Sequence, residues 1–221
     1  MPEFNPHRRL VTNNPSIMTR RKRIAPIKDW VLQISEALSV FTPPDAFTGH
    51  NSSRQYVAYV TYPSVFLSEE PSRIKIEVGL RETTLMPPVQ TKARTLLLNP
   101  FTRKALVSNI DVITLTMEEA IAEKLRAALT RLDPAIRDFF DIDYLVSQHK
   151  IDLTDQHLLQ LVAEKLKVPG NPPIDLSPAR KEKLETQVNT ELKPVLRPSD
   201  FESFNLDRVF DIATRVSRLL Q

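Results

Sequence analysis

Apolar residues change their spacing at Thr116, and that change limits the fold more than any other feature of the chain. Before it, the clearest pattern alternates. Over residues 73–81, Ile74, Ile76, Val78 and Leu80 point one way, and Lys75, Glu77, Gly79 and Arg81 the other, which is the period of a half-buried strand. Residues 55–62 are rich in Tyr, Val and Thr and suit a strand buried on both faces, adjacent to the first. Residues 94–98 and 110–115 are two further strand candidates, separated by a turn containing Pro100. After Thr116 the period is 3.6. Thr116 with Glu119 three residues on forms a capping box. It opens a helix to about Leu132, whose inward stripe is Ile121, Leu125, Ala128, Leu129 and Leu132.

Four more helices are expected beyond it. Asp133-Pro134 reads as N-cap and first helical residue of a helix reaching about Ser147. A third starts at Thr154 and stops before Pro169-Gly170, and residues 169–177 read as a linker. Ser177-Pro178 opens a fourth, to about Leu192, with Leu184, Val188 and Leu192 on one stripe. A fifth begins near Asn205, with Leu206, Val209, Phe210, Ala213, Val216 and Leu220 facing inward. One helix precedes the strands, over 24–40, with Trp30, Ile34, Leu38 and Phe41 as its apolar positions. The expectation is an α+β fold: a small mixed or antiparallel β-sheet with an N-terminal helix, followed by a C-terminal helical bundle. Three regions result: a basic tail (1–23), a sheet-bearing region (24–115) and a helical domain (116–221).

Glycine and cysteine usage removes several chemistries. Among 221 residues the only glycines are Gly49, Gly79 and Gly170, too scattered for a phosphate-binding Gly-rich loop or a G-x-S-x-G elbow. There is no Cys, hence no disulfide, thiolate nucleophile or Cys-ligated zinc. His7, His50, His149 and His157 form no H-E-x-x-H pattern and read as ordinary surface histidines. No apolar run reaches the ~20 residues of a bilayer span, and the N-terminus has no apolar signal region. The expectation is a cytoplasmic protein without membrane contact.

Charge is uneven along the chain. Residues 1–28 hold seven cations against Glu3, a net +6, so the remainder carries −3 of the total +3. Arg20-Arg21-Lys22-Arg23 suits a phosphate anchor giving weak, salt-sensitive nucleic-acid binding. Without interleaved aromatics it suits a solvated charge run leading into a helix better.

The densest polar set at helical spacing lies in residues 117–145. Lys124 and Arg131 project together on one flank of the first long helix, beside small Ala120 and Ala127, which leaves room for an anion. Spacing alone fits a solvated flank, with both side chains passing the core, better. On the next helix Arg137 and Asp141 stand i,i+4, the spacing of an ion pair. Asp138 lies near the N-terminus, where the helix dipole favours a carboxylate. Asp143 projects onto the apolar side and needs a partner.

These residues carry a resemblance. Glu-Glu-Ala-Ile-Ala-Glu-Lys-Leu-Arg-Ala, then Arg-Asp-Phe-Phe-Asp-Ile-Asp-Tyr-Leu, resembles the paired E-x-x-x-A-E-K-L-x-A and R-D-x-x-D-[LI]-x-x-L blocks of the AbiEii/AbiGii toxin family. The alternating strand at 73–82 is similar to that family's carboxylate-bearing strand. The resemblance covers roughly residues 55–147. It implies nucleotidyltransferase-like chemistry of a toxin–antitoxin or phage-defence type, with Mg²⁺ and a nucleoside triphosphate. It also implies a cognate antitoxin as partner, while RNA, tRNA included, would be met through the basic segment. Carried over, Lys124 and Asp138 would be the catalytic residues, with Arg137 and Asp141 supporting Asp138, and Glu77 would hold metal; with Arg131, which shares the Lys124 flank by helix projection, Lys124 and Arg137 would bind nucleotide, all on one concave surface. Residues 24–115 would be what remains of the α/β transferase domain. The family's upstream Gly-Gly or Gly-Ser turn and Asp-x-Asp pair have no counterpart here: no glycine precedes Gly49 and no Asp-x-Asp precedes Glu77. A single carboxylate and a Lys do not hold two Mg²⁺ ions. Three readings follow: a family member inactive by itself, an active transferase with a rearranged site, or a non-enzymatic protein that binds a partner or RNA.

Overall fold

A computed structural model describes residues 20–44, 46–50, 55–64 and 70–221. The expected tail over residues 1–16, with Arg8 and Arg9, lies outside the described residues, as does the Asn51-Ser52-Ser53 part of the expected loop. The chain divides into two compact units, Met1–Thr83 and Thr84–Gln221.

In the first unit α1 (Arg20–Ala37) is followed by β1 (Thr48–His50), β2 (Gln55–Tyr62) and β3 (Ser72–Gly79). The three strands form an antiparallel sheet in the order β1-β2-β3. The expected pairing of residues 55–62 with 73–81 is present, Tyr56 opposite Val78 and Val57 opposite Glu77. Ile24 of α1, Tyr56 and Leu80 make the small core, with Ile27, Phe47 and Val78 packed against it. Among the described side chains of α1 the buried ones are Ile24, Val31 and Ser35, not the expected stripe through Trp30, which is 55% exposed, and Leu38. The helix settles on the sheet through its aliphatic positions, and Trp30 falls 100° around the axis from Val31. Tyr59 is exposed too, so β2 is covered fully on one face only.

In the second unit β4 (Val89–Ala93) and β5 (Ile110–Thr114) form a separate antiparallel hairpin. Residues 94–98, expected as a strand, lead into its tip and contribute one isolated bridge, Leu98 with Ala105. Three consecutive leucines have no alternation. The chain turns instead at Asn99, whose Oδ1 accepts from the amides of Phe101 and Thr102.

The helices α2 (Met117–Thr130), α3 (Ile136–His149), α4 (Gln156–Leu166), α5 (Pro178–Gln187), α6 (Pro198–Ser203) and α7 (Leu206–Leu219) follow, and a π-helical turn over Val188–Leu192 extends α5. They enclose one core centred on Leu125, Leu129, Ile136, Phe139, Ile142, Leu184 and Val209. Leu132, counted in the expected stripe, is exposed because α2 stops at Thr130. The short α6, between Pro198 and Ser203, had no counterpart in the sequence pattern.

Caps explain several boundaries. Thr116 Oγ1 accepts from the Glu119 amide, the first half of the expected capping box. Helix α3 starts two residues later than Asp133-Pro134 suggested. Gln187 of α5 takes the capping role, accepting from the Ile136 amide and donating to the Pro134 carbonyl, both at 2.8 Å. The expected linker is also fastened. Gly170 adopts φ +93°, a backbone favouring glycine. This turn brings Asn171 back to donate to the Lys165 and Leu166 carbonyls, while its Oδ1 accepts from Arg126.

Candidate functional site

Helix α2 presents its apolar stripe to the core, and Lys124 therefore stands on the rim, its side chain 44% exposed. Asp138 lies in the first turn of α3 and is 4% exposed. Burying a carboxylate this far requires compensating charge. Lys124 Nζ sits 3.5 Å from Asp138 Oδ1 and 2.7 Å from Asp141 Oδ2. Arg131 Nε approaches Asp138 Oδ2 to 3.4 Å, an ion-pair distance without hydrogen-bond geometry, so that buried oxygen has no hydrogen-bond partner.

The structure thus joins three of the expected site residues, Lys124, Arg131 and Asp138. It also changes one pairing: Asp141 goes to Lys124 across the helix interface, and not to Arg137, which is exposed. Burial works against the Lys124 charge. The hydrogen bond to Asp141 and the charges of Asp141 and Asp138 outweigh it and hold the ammonium above its ordinary pKa. An ammonium carries three donors and a guanidinium five. Both side chains are about half exposed, so donors remain on the solvent side for an oxyanion.

Arg180 completes the cluster and was not singled out from sequence. It is buried, and its guanidinium donates to the Arg131 and Ala128 carbonyls at 2.8 Å, closing the end of α2. Burial lowers its pKa; its charge acts on Asp138 and against Arg131. Asp175, half exposed, stands 3.8 Å from it. One signal existed: an Arg in the first turn of a helix sits against the dipole. That local misfit is explained by partners 49 and 52 residues away.

Two other buried acids hold the frame. Asp143 finds the partner its apolar position demanded, accepting two 2.7 Å hydrogen bonds from Arg208 and one from the Asn205 amide, which ties α3 to α7. Glu119 does not complete the capping box. Its fully buried carboxylate accepts from the Leu85 and Met86 amides and from Lys165 Nζ, each at 2.8 Å. Burial pushes its pKa up, but these donors outweigh that and hold it below the ordinary value.

Glu77 lies in the first unit, on the face of β3 away from α1. It pairs with Lys75 at 2.7 Å and accepts from Gln55. Arg81, expected beside it, pairs with Glu82. Among the described residues no three His, Cys, Asp or Glu side chains group to hold a metal ion. At the Asp138–Asp141 pair the counter-charge comes from Lys124 and Arg131. The side chains of Arg20, Arg21 and Arg23, and hence most of the candidate phosphate anchor, lie outside the described residues. No described helix is long and apolar enough to cross a membrane.

No curated protein and no solved structure matches the chain. A family model described as nucleotidyl transferase AbiEii toxin, type IV toxin–antitoxin system, matches residues 16–212, and with most of its length covered the chain belongs to the AbiEii nucleotidyl transferase toxin family.

Proposed function

We propose that this chain binds a nucleoside triphosphate through Lys124 and Arg131 and does not transfer the nucleotide by itself. The observation that supports binding is the buried Asp138 carboxylate with two half-exposed cations on it. The carboxylates set the cations in place, and the solvent-facing donors meet phosphate oxygens. Lys124, held protonated by Asp141 and Asp138, acts as a point charge and Arg131 as a planar fork. Arg137, exposed on the same helix as Asp138, is a further candidate phosphate contact. Transfer requires neutralisation of charge as the phosphoryl group moves, which the family supplies with metal ions. The cluster's two carboxylates are already spent on cations, and Glu77 is one carboxylate.

The test is binding of each of the four NTPs, followed by transfer of labelled nucleotide to RNA or protein with Mg²⁺ and with Mn²⁺. Binding that is lost in Lys124→Ala, without transfer, is expected. Robust transfer abolished by Lys124→Ala or Asp138→Asn would establish an active transferase with a rearranged site instead. Family membership implies an antitoxin partner.

A non-enzymatic interaction role is favoured by the β4–β5 hairpin, where Leu96 is 97% and Phe101 93% exposed. Apolar patches of this kind mark contact surfaces. Absence of NTP binding, together with a partner lost in a Leu96→Ser, Phe101→Ser double variant, would select that role.

A further inference from the structure

A groove of about 220 Å³ runs between α2 and α3 immediately before Lys124. Met117 and Ala120 line it from α2, and Tyr144 and Leu145 from α3. Lys124 and Asp141 close its polar end. The spacings are helical neighbours: 117, 120 and 124 on one helix, 141, 144 and 145 on the other. Its volume is below the range of pockets that take drug-sized ligands, which fits a single flat ring system. Ala120 leaves the floor low. Tyr144 offers a partly exposed aromatic wall, supported at 6.0 Å by Phe140 and at 5.5 Å by His149. The groove, Lys124 and Arg131 follow one another along α2. A molecule laid along the helix therefore meets an apolar slot first and two cations afterwards.

We propose that this groove seats the nucleobase of the nucleotide whose phosphates Lys124 and Arg131 hold, with Tyr144 as the stacking residue and Ala120 as the residue that keeps the slot open. The inference rests on the phosphate-binding reading above. The occupant follows from the charge order: an uncharged planar group joined to a polyanion matches an apolar aromatic slot joined to two cations. Asp141, with Oδ2 taken by Lys124 at 2.7 Å, stands with it at the polar end of the groove.

The experiment compares ATP with inorganic triphosphate, by calorimetry, on the wild-type chain and on Tyr144→Ala, Tyr144→Phe, Ala120→Leu and Lys124→Ala. Base stacking on an aromatic side chain corresponds to roughly five- to hundredfold in affinity. Wild type is therefore expected to bind ATP tighter than triphosphate by a factor in that range. Tyr144→Ala and Ala120→Leu should erase the margin while leaving triphosphate affinity unchanged, and Tyr144→Phe should keep it. Leucine in place of Ala120 retains helix propensity, and an unchanged circular dichroism spectrum separates a filled groove from a misfolded chain. Equal wild-type affinity for ATP and triphosphate, or a margin that survives both groove variants, overturns the proposal. Triphosphate binding that survives Lys124→Ala overturns the phosphate reading instead.

Discussion

The two units handle charge differently. In the first, the period of two carries it outward: Arg73, Lys75 and Glu77 occupy one face of β3, while Tyr56, Val78 and Leu80 meet α1 on the other. In the second, Glu119, Asp138, Asp143, Lys165 and Arg180 are buried within a helical unit. A helix turns 100° per residue and has flanks, neither core nor solvent, where a charged group is half enclosed and must find a partner on another helix. Two of these partners come from far along the chain, Lys165 for Glu119 and Arg208 for Asp143, and Arg180 reaches back to the end of α2; Asp138 takes nearer ones, Lys124 and Arg131. The candidate site grows on one of these flanks. Charge on a sheet face is cheap and leaves few fixed geometries; charge between helices fixes geometry and makes the frame sensitive to losing one member.

The largest expected effect tests that sensitivity. Lys165→Met leaves Glu119 buried beside two amides without its counter-charge, a change that costs about 3–5 kcal/mol. Hydrogen exchange should show residues 84–221 losing protection while the β2–β3 amides keep theirs. Adding Glu119→Gln to Lys165→Met should restore most of the loss; a double variant as unstable as the single one would mean that packing, and not charge, is responsible.

Next in size is a matched pair of apolar truncations. Leu125→Ala, in the core of the helical unit, should cost about 2–5 kcal/mol. Ile74→Ala on half-exposed β3 should cost under about 1 kcal/mol, because little area leaves water there. Equal losses in denaturant unfolding would erase the contrast between the units.

A smaller effect is expected from Thr116→Ala. Its hydroxyl makes half a capping box while Glu119 serves elsewhere, so about 1 kcal/mol is expected, the ordinary value of an N-cap. A loss well above that would mean that Thr116 also positions Glu119.

Acid sharpens the same comparison. The folded pKa of Glu119 lies below its ordinary 4.5, so the folded state binds fewer protons than the unfolded one near that value. Its contribution is fully present above 4.5 and is lost as pH falls through the lower folded pKa. Unfolding of the helical unit, followed between pH 6 and pH 3, should become easier towards acid, and Glu119→Gln should flatten that dependence.

Local patterns in the sequence were enough for the period-2 strand at 73–81, the strand at 55–62, the helix opened by Thr116 and the apolar face of α7. Each of these depends on residues within one or two turns or on simple alternation, where backbone geometry alone sets which side chains share a face. The same geometry put Lys124 and Arg131 on one flank. What they face was decided by tertiary structure. Asp141 turns to Lys124 because α3 packs against α2, and Gln187 caps α3 in place of Asp133. Glu119 abandons its own helix start for Lys165 and two distant amides, and Arg180 sits in a locally unfavourable first turn to close the end of α2. These choices depend on desolvation: a buried charge takes whichever partner the folded chain brings within about 3 Å, and sequence separation has no part in that selection.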